Sequence, residues 1–92
     1  MSVTVEKSIV SHLKIHLCAE VVDRKPTEIA DEQDLIGEGI LDSLGILLLS
    51  DFIEGEYGIV IEPDEVVIEN FSSLDAIARF VVTKRYPLVS ET

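Results

Sequence analysis

Apolar side chains spaced for helices, and interrupted by prolines, leave this chain few folds to adopt. Val5, Ile9, Leu13 and Leu17 recur in steps of four, which stacks them on one face of a helix from Val5 to about Val21. Pro26, followed by Thr27, Ile29 and a run of acids, breaks the pattern, because proline has no N–H to give a helix. Periodicity returns at Ser43, where Ile46, Leu49, Ser50, Ile53 and Tyr57 form a second stripe, with Asp51, Glu54 and Glu56 off it and Gly58 as its stop. Gly45 and Gly55 each weaken such a helix by about 1 kcal/mol relative to alanine. Tertiary packing must therefore hold it. Pro63, then Asp64 and Glu65, opens a brief third helix expected to reach about Glu69, its acids facing the positive helix N-terminus. Asn70 and Phe71 are expected to turn the chain, and Ser72 with Asp75 three residues on fits a helix-capping pattern. Leu74, Ile77, Ala78, Val81 and Val82 then supply the inward face of a last helix to about Arg85, ended by Pro87. The run Ile59, Val60, Ile61 is too short to build a sheet alone, and no partner strand is evident. The expected fold class is all-α, a small bundle of three main helices plus one short helix.

The 92 residues are expected to make a single domain spanning 1–92, with an ordered core from about residue 4 to 86 and room for one modest hydrophobic centre. Residues 26–42 are a long irregular connection for so small a domain, and such loops are usually functional or tightly packed. Ile29, Leu35, Ile36 and Ile40 could pin it to the core, and Gly37 and Gly39 fall inside it. Charge is uneven: 18 acids face 7 bases, for a net charge of -11, and the stretch between Lys25 and Arg79 holds 14 acids and no base. Such a surface repels phosphate backbones and anionic lipids, which disfavours nucleic-acid and membrane partners. No apolar run approaches a membrane span and the start of the chain lacks the features of a signal peptide, so a cytoplasmic location is expected.

Few residues here suit catalysis or metal binding. Cys18 is the lone cysteine and has no Cys or His partners at zinc-ligand spacing, so it reads as a helix residue. His12 and His16 lie four apart on the first helix, and neither a nucleophile elbow nor a third metal ligand accompanies them. A calcium loop fails in every register of residues 31–42, because Leu35 and Ile36 intrude where oxygen ligands are needed. No catalytic residue and no metal site are expected, although the crowded carboxylates should respond to salt or Mg2+.

The segment with chemical potential is Gly39, Ile40, Leu41, Asp42, Ser43, Leu44, where the long loop enters the second helix. Asp42 and Ser43 are both favoured as helix N-caps, a role that needs no further function. A hydroxyl at a helix N-terminus behind an exposed loop is also well placed to bear a phosphoester. The triplet alone leaves both readings open.

Residues 39–61, GILDSLGILLLSDFIEGEYGIVI, resemble the phosphopantetheine attachment region of acyl and peptidyl carrier proteins. The features shared are a Gly shortly before Asp-Ser-Leu, apolar helical spacing after it, an acidic and aromatic end at Glu54 to Tyr57, and Gly58-Ile59-Val60-Ile61. EPDEVVIENFSSLDAIARFV, residues 62–81, resembles the short third helix and the final helix of that family. The resemblance implies that Ser43 accepts 4'-phosphopantetheine from coenzyme A through a separate phosphopantetheinyl transferase, flanked by Asp42 and Leu44. It implies a non-catalytic, monomeric carrier that holds an acyl or aminoacyl thioester. An activating ligase or adenylation enzyme would load it, and downstream synthases, transferases or tailoring enzymes would use it. Leu44, Leu47 and Leu48 lie off the inward stripe, so at least one should be exposed. With Asp51 and Glu54 they would form the partner-facing surface. Gly45 and the Gly39-Ile40-Leu41 run are closer to stand-alone aminoacyl, peptidyl or specialised acyl carriers than to the fatty-acid protein. The rival is an acidic helical interaction module of similar shape that is never modified.

Overall fold

The structure, a computed structural model, describes residues 2–86; Pro87 and the ends of the expected domain lie outside the described residues. Helix α1, Ser2–His16, continues into a π-helical turn, Leu17–Val21, closed by the Val22 amide donating to the Leu17 carbonyl at 2.9 Å. Its stripe is wider than four residues: Ile9, Val10, Leu13 and Leu17 are buried, and Val5, Cys18 and Val21 pack at its edges. Burial pushes the Cys18 thiol up from its ordinary value, which leaves little reactive thiolate.

The long connection is packed on the core. A 3-10 turn, Pro26–Glu28, begins it, and Ile29, Leu35 and Leu41 are all buried while Ile36 and Ile40 are half-buried. Leu41 is an anchor beyond those expected from the sequence. Backbone bonds tie the segment down as well: the Leu35 amide donates to the Ser72 carbonyl at 2.7 Å, and the Asp75 amide donates to the Asp31 carbonyl at 3.0 Å. The Asp31 side chain meets Lys14 at 2.8 Å and Lys7 at 3.7 Å. The loop is thereby latched to α1 and to the start of the last helix.

Helix α2, Ser43–Tyr57, ends where Gly58 enters the left-handed region at φ 65°, a conformation open to a residue without Cβ. Leu49 and Ile53 are fully buried on its stripe, and Ser50 lies beside them with its hydroxyl buried and unpaired among the described residues. Residues 59–61 form no strand; Ile59 is buried and the Ile61 amide donates to Glu54 Oε2 at 2.7 Å.

The segment after Pro63 departs from expectation. Instead of one helix to Glu69, a 3-10 turn, Pro63–Glu65, is followed by extended Val67 and then helix α3, Ile68–Phe71. Two consecutive β-branched valines favour extended backbone, and the Asn70 side-chain amide donates back to the Glu65 carbonyl at 2.8 Å. Asn70 and Phe71 are helical rather than turn residues, and Phe71 is fully buried. Helix α4, Leu74–Arg85, is capped by Ser73, whose hydroxyl accepts from the Ala76 amide at 3.1 Å. Ser72 does not cap: its backbone is helical at φ -70°, ψ -29°, while Ser73 has the extended backbone of an N-cap. Helix α4 packs chiefly on α1 and α3. The result is three main helices and one short one around a core of Leu13, Leu17, Leu49, Ile53, Phe71 and Ile77.

Candidate functional site

The first turn of α2 is built from two sides. Below it, Leu41 is almost completely buried, and Gly45 lies so close that a Cβ there would sit 2.8 Å from Leu41 Cδ1 and 3.2 Å from Val21 Cγ1. Glycine lets the turn settle on the loop and on the end of α1 without displacing either side chain. Gly39, at φ 74°, bends the chain into this approach. Asp42 then caps the helix: its backbone is extended and its Oδ1 accepts the Gly45 amide at 2.8 Å. Asp42 supplies the capping oxygen, so Ser43 is not needed for it. Ser43 is the first helical residue and is exposed to solvent.

A hydroxyl so placed is accessible, anchored by a rigid helix, and free of capping duty. That fits a phosphoester link, which requires an exposed oxygen on a fixed backbone. The histidines do not approach it. His12 Nδ1 lies 3.1 Å from the Tyr57 hydroxyl and its Nε2 3.7 Å from Glu56, and His16 stacks on Phe52 with ring centroids 3.6 Å apart. Phe52 is nine residues along α2 from Ser43, about 13 Å down the helix. Neither histidine therefore stands beside the serine, and among the described residues no three His, Cys, Asp or Glu side chains are arranged to hold a metal.

Leu44, Leu47 and Leu48 are 63%, 61% and 47% exposed and follow Ser43 along the outer face of α2. Asp51 is exposed one turn further, whereas Glu54 is half-buried with one carboxylate oxygen held by Ile61. A groove of about 460 Å³ runs from Ser43 past Ile36 and Ile46 to Val66, Val67 and Ile68. Val67 and Ile68 are exposed and extend the apolar surface onto α3. Sequence reasoning missed them. The signal available was an apolar pair between Pro63 and the buried Phe71 that no stripe required. On the other flank a smaller cleft of about 280 Å³ is bordered by Arg24, Gly39, Asp42 and Gly45.

No helix among the described residues is long and apolar enough to cross a membrane. The family model described as phosphopantetheine attachment site matches residues 15–81, from the end of α1 into α4 and across the whole of α2. No curated protein matches the chain.

Proposed function

The chain belongs to the phosphopantetheine attachment-site family, whose members carry 4'-phosphopantetheine covalently, and we propose that Ser43 is its attachment residue and that it serves as a discrete, non-catalytic carrier of acyl or aminoacyl groups. The single observation that carries the assignment is the division of labour at the start of α2: Asp42 caps the helix and Ser43 stands exposed beside it. When bound, the arm supplies a thiol that holds the cargo as an activated thioester. The protein's own residues supply position. Leu41 and Gly45 fix the first turn, and Asp42 satisfies its amide without using the serine hydroxyl.

Leu44, Leu47 and Leu48 offer apolar contacts, and Asp51 and Glu54 offer negative charge to basic patches on partners. Complementary charge chiefly speeds encounter and rejects wrong partners, which suits a carrier that visits several enzymes briefly. Those partners are a phosphopantetheinyl transferase, an activating ligase or adenylation enzyme, and downstream synthases, transferases or tailoring enzymes. The pathway would be nonribosomal peptide, polyketide or specialised acyl metabolism, worked by a cytoplasmic monomer.

Incubation with coenzyme A and a broad-specificity transferase, read by intact mass, tests the assignment. The wild-type chain should gain one phosphopantetheine, while Ser43→Ala should keep its helical circular dichroism and gain none. Labelling of Ser43→Ala would move the site elsewhere. A wild-type chain that is never labelled would favour an unmodified acidic interaction module.

A further inference from the structure

The groove that Ser43 shares with Val66, Val67 and Ile68 ends in a segment with little regular structure of its own. Val67 is extended and α3 is a single turn, so neither supplies a ladder of backbone bonds to hold the groove's end in place. Phe71, fully buried, anchors the far end of α3 in the core. The near end is fixed by Glu65. Its carbonyl accepts the Val67 amide at 3.0 Å and the Asn70 side-chain amide at 2.8 Å. Its carboxylate accepts the Glu62 amide at 2.9 Å and Lys84 Nζ at 2.9 and 3.0 Å. Lys84 belongs to the last turn of α4 and does not line the groove. Among the described residues no other hydrogen bond or ion pair joins residues 62–70 to α1, α2 or α4. Lys84 therefore sets, through Glu65, where Val67 and Ile68 stand relative to Ser43.

An enzyme acting on Ser43 must seat on the surface around it. A stable protein–protein contact covers about 800 Å² on each side, a patch roughly 16 Å in radius, and residues that share a groove with the serine fall inside such a footprint. Val67 and Ile68 are exposed apolar side chains within it, across the groove from the α2 face that carries Leu44 and Leu47. Covered apolar side chains hold a complex together, whereas charges at its rim chiefly set the rate of encounter. Resting on the attachment at Ser43, we infer that Val67 and Ile68 are contacts for the phosphopantetheinyl transferase and that Lys84 is a positioning residue, holding them in register with α2 through Glu65.

The test is loading by coenzyme A and a broad-specificity transferase, with the concentration of the carrier varied. Ile68→Ala should raise KM for the carrier about fivefold, from the apolar area it removes. Lys84→Gln should raise it about two- to fivefold, the range of a partly exposed ion pair. Both should leave kcat unchanged, because Ser43 and the cap at Asp42 are untouched. Lys84→Arg, which keeps the cation, should restore KM. The matched control is Lys14→Gln, which removes the same charge and breaks a comparable pair with Asp31 at 2.8 Å; its KM should equal that of wild type. In amide NMR spectra Lys84→Gln should move residues 65–68 and leave residues 43–46 in place. Unmoved amides at 65–68, an unchanged KM in Ile68→Ala or Lys84→Gln, or an equal rise in Lys14→Gln would overturn the inference and leave the attachment at Ser43 standing. A wild-type chain that never loads would overturn both.

Discussion

Gly45 and Gly55 stand on the same helix and have opposite reasons to be glycine. By propensity alone, alanine at either position should stabilise α2 by up to about 1 kcal/mol. At Gly55 nothing lies within 4 Å of an added Cβ, so Gly55→Ala should show that gain in a thermal or urea melt. At Gly45 the methyl group would meet Leu41 and Val21, and overpacking of this kind typically costs about 1–3 kcal/mol. Steric cost outweighs propensity there, and Gly45→Ala should destabilise. Because Leu41 and Val21 also wall the first turn of α2, the same variant should slow loading at Ser43 beyond what its lower stability explains. Equal signs for the two substitutions would show that the first turn yields to its neighbours. Sequence alone could not distinguish these glycines, since Val21 lies 24 residues before Gly45 and only the fold brings them into contact. The choice between Asp42 and Ser43 as cap, in contrast, was already framed by two adjacent capping residues.

Among the elements, α1, α2 and α4 were legible because each buries a stripe whose period is that of the helix itself. The path between Pro63 and Leu74 was not, because Val66, Val67, Ile68 and Phe71 keep to no single period: an extended valine separates two turns, and the cap falls on the second of two serines. The long loop was recognisable as packed, yet its latch was not, since Asp31 is only one of many acids there until Lys14 and Lys7 are seen to face it. The hydrogen bond from Lys14, reinforced by the nearby charge of Lys7, holds the Asp31 carboxyl below its ordinary 3.8. A carboxyl whose folded value is lowered binds its proton less readily in the folded than in the unfolded chain. Its stabilisation is therefore present above the ordinary value and lost as pH falls through the lowered one. Asp31→Asn should accordingly be less stable than wild type near about pH 7, by no more than about 1 kcal/mol for a partly exposed pair. That gap should narrow as pH falls below the ordinary carboxyl value and close only once it has passed the lowered one. Glu65, lowered by the Glu62 backbone amide and then by Lys84, shifts in the same direction but is common to both proteins and cancels in the difference. A gap unchanged by acid would remove the ion pair as the latch and leave the backbone bond from Asp75.

At the scale of the whole molecule, the net charge of -11 acts on folding and on encounter with opposite sign. Self-repulsion opposes the compact state. Raising ionic strength from about 0.01 to 0.15 M shortens the screening length from about 30 to 8 Å, so repulsion between distant carboxylates should fade. Salt also weakens the links of Lys14 to Asp31 and Lys84 to Glu65, but partly exposed pairs contribute under about 1 kcal/mol each, and 18 acids outnumber 7 bases. Net stabilisation should result, of order 1 kcal/mol, which for a domain of this size raises the melting temperature by about 4–8 °C. The same screening removes the attraction that would bring α2 to a basic partner, so loading by the transferase should slow over the same range. Asp51→Lys separates the two effects, because a single exposed charge at the α2 surface changes the local field at docking far more than it changes the total. The variant should melt with nearly the wild-type salt response while its loading rate is lower and depends less steeply on salt. Loading that keeps the wild-type salt slope in Asp51→Lys would take Asp51 out of the docking surface, and a melting temperature indifferent to salt would mean that self-repulsion is not what limits this fold.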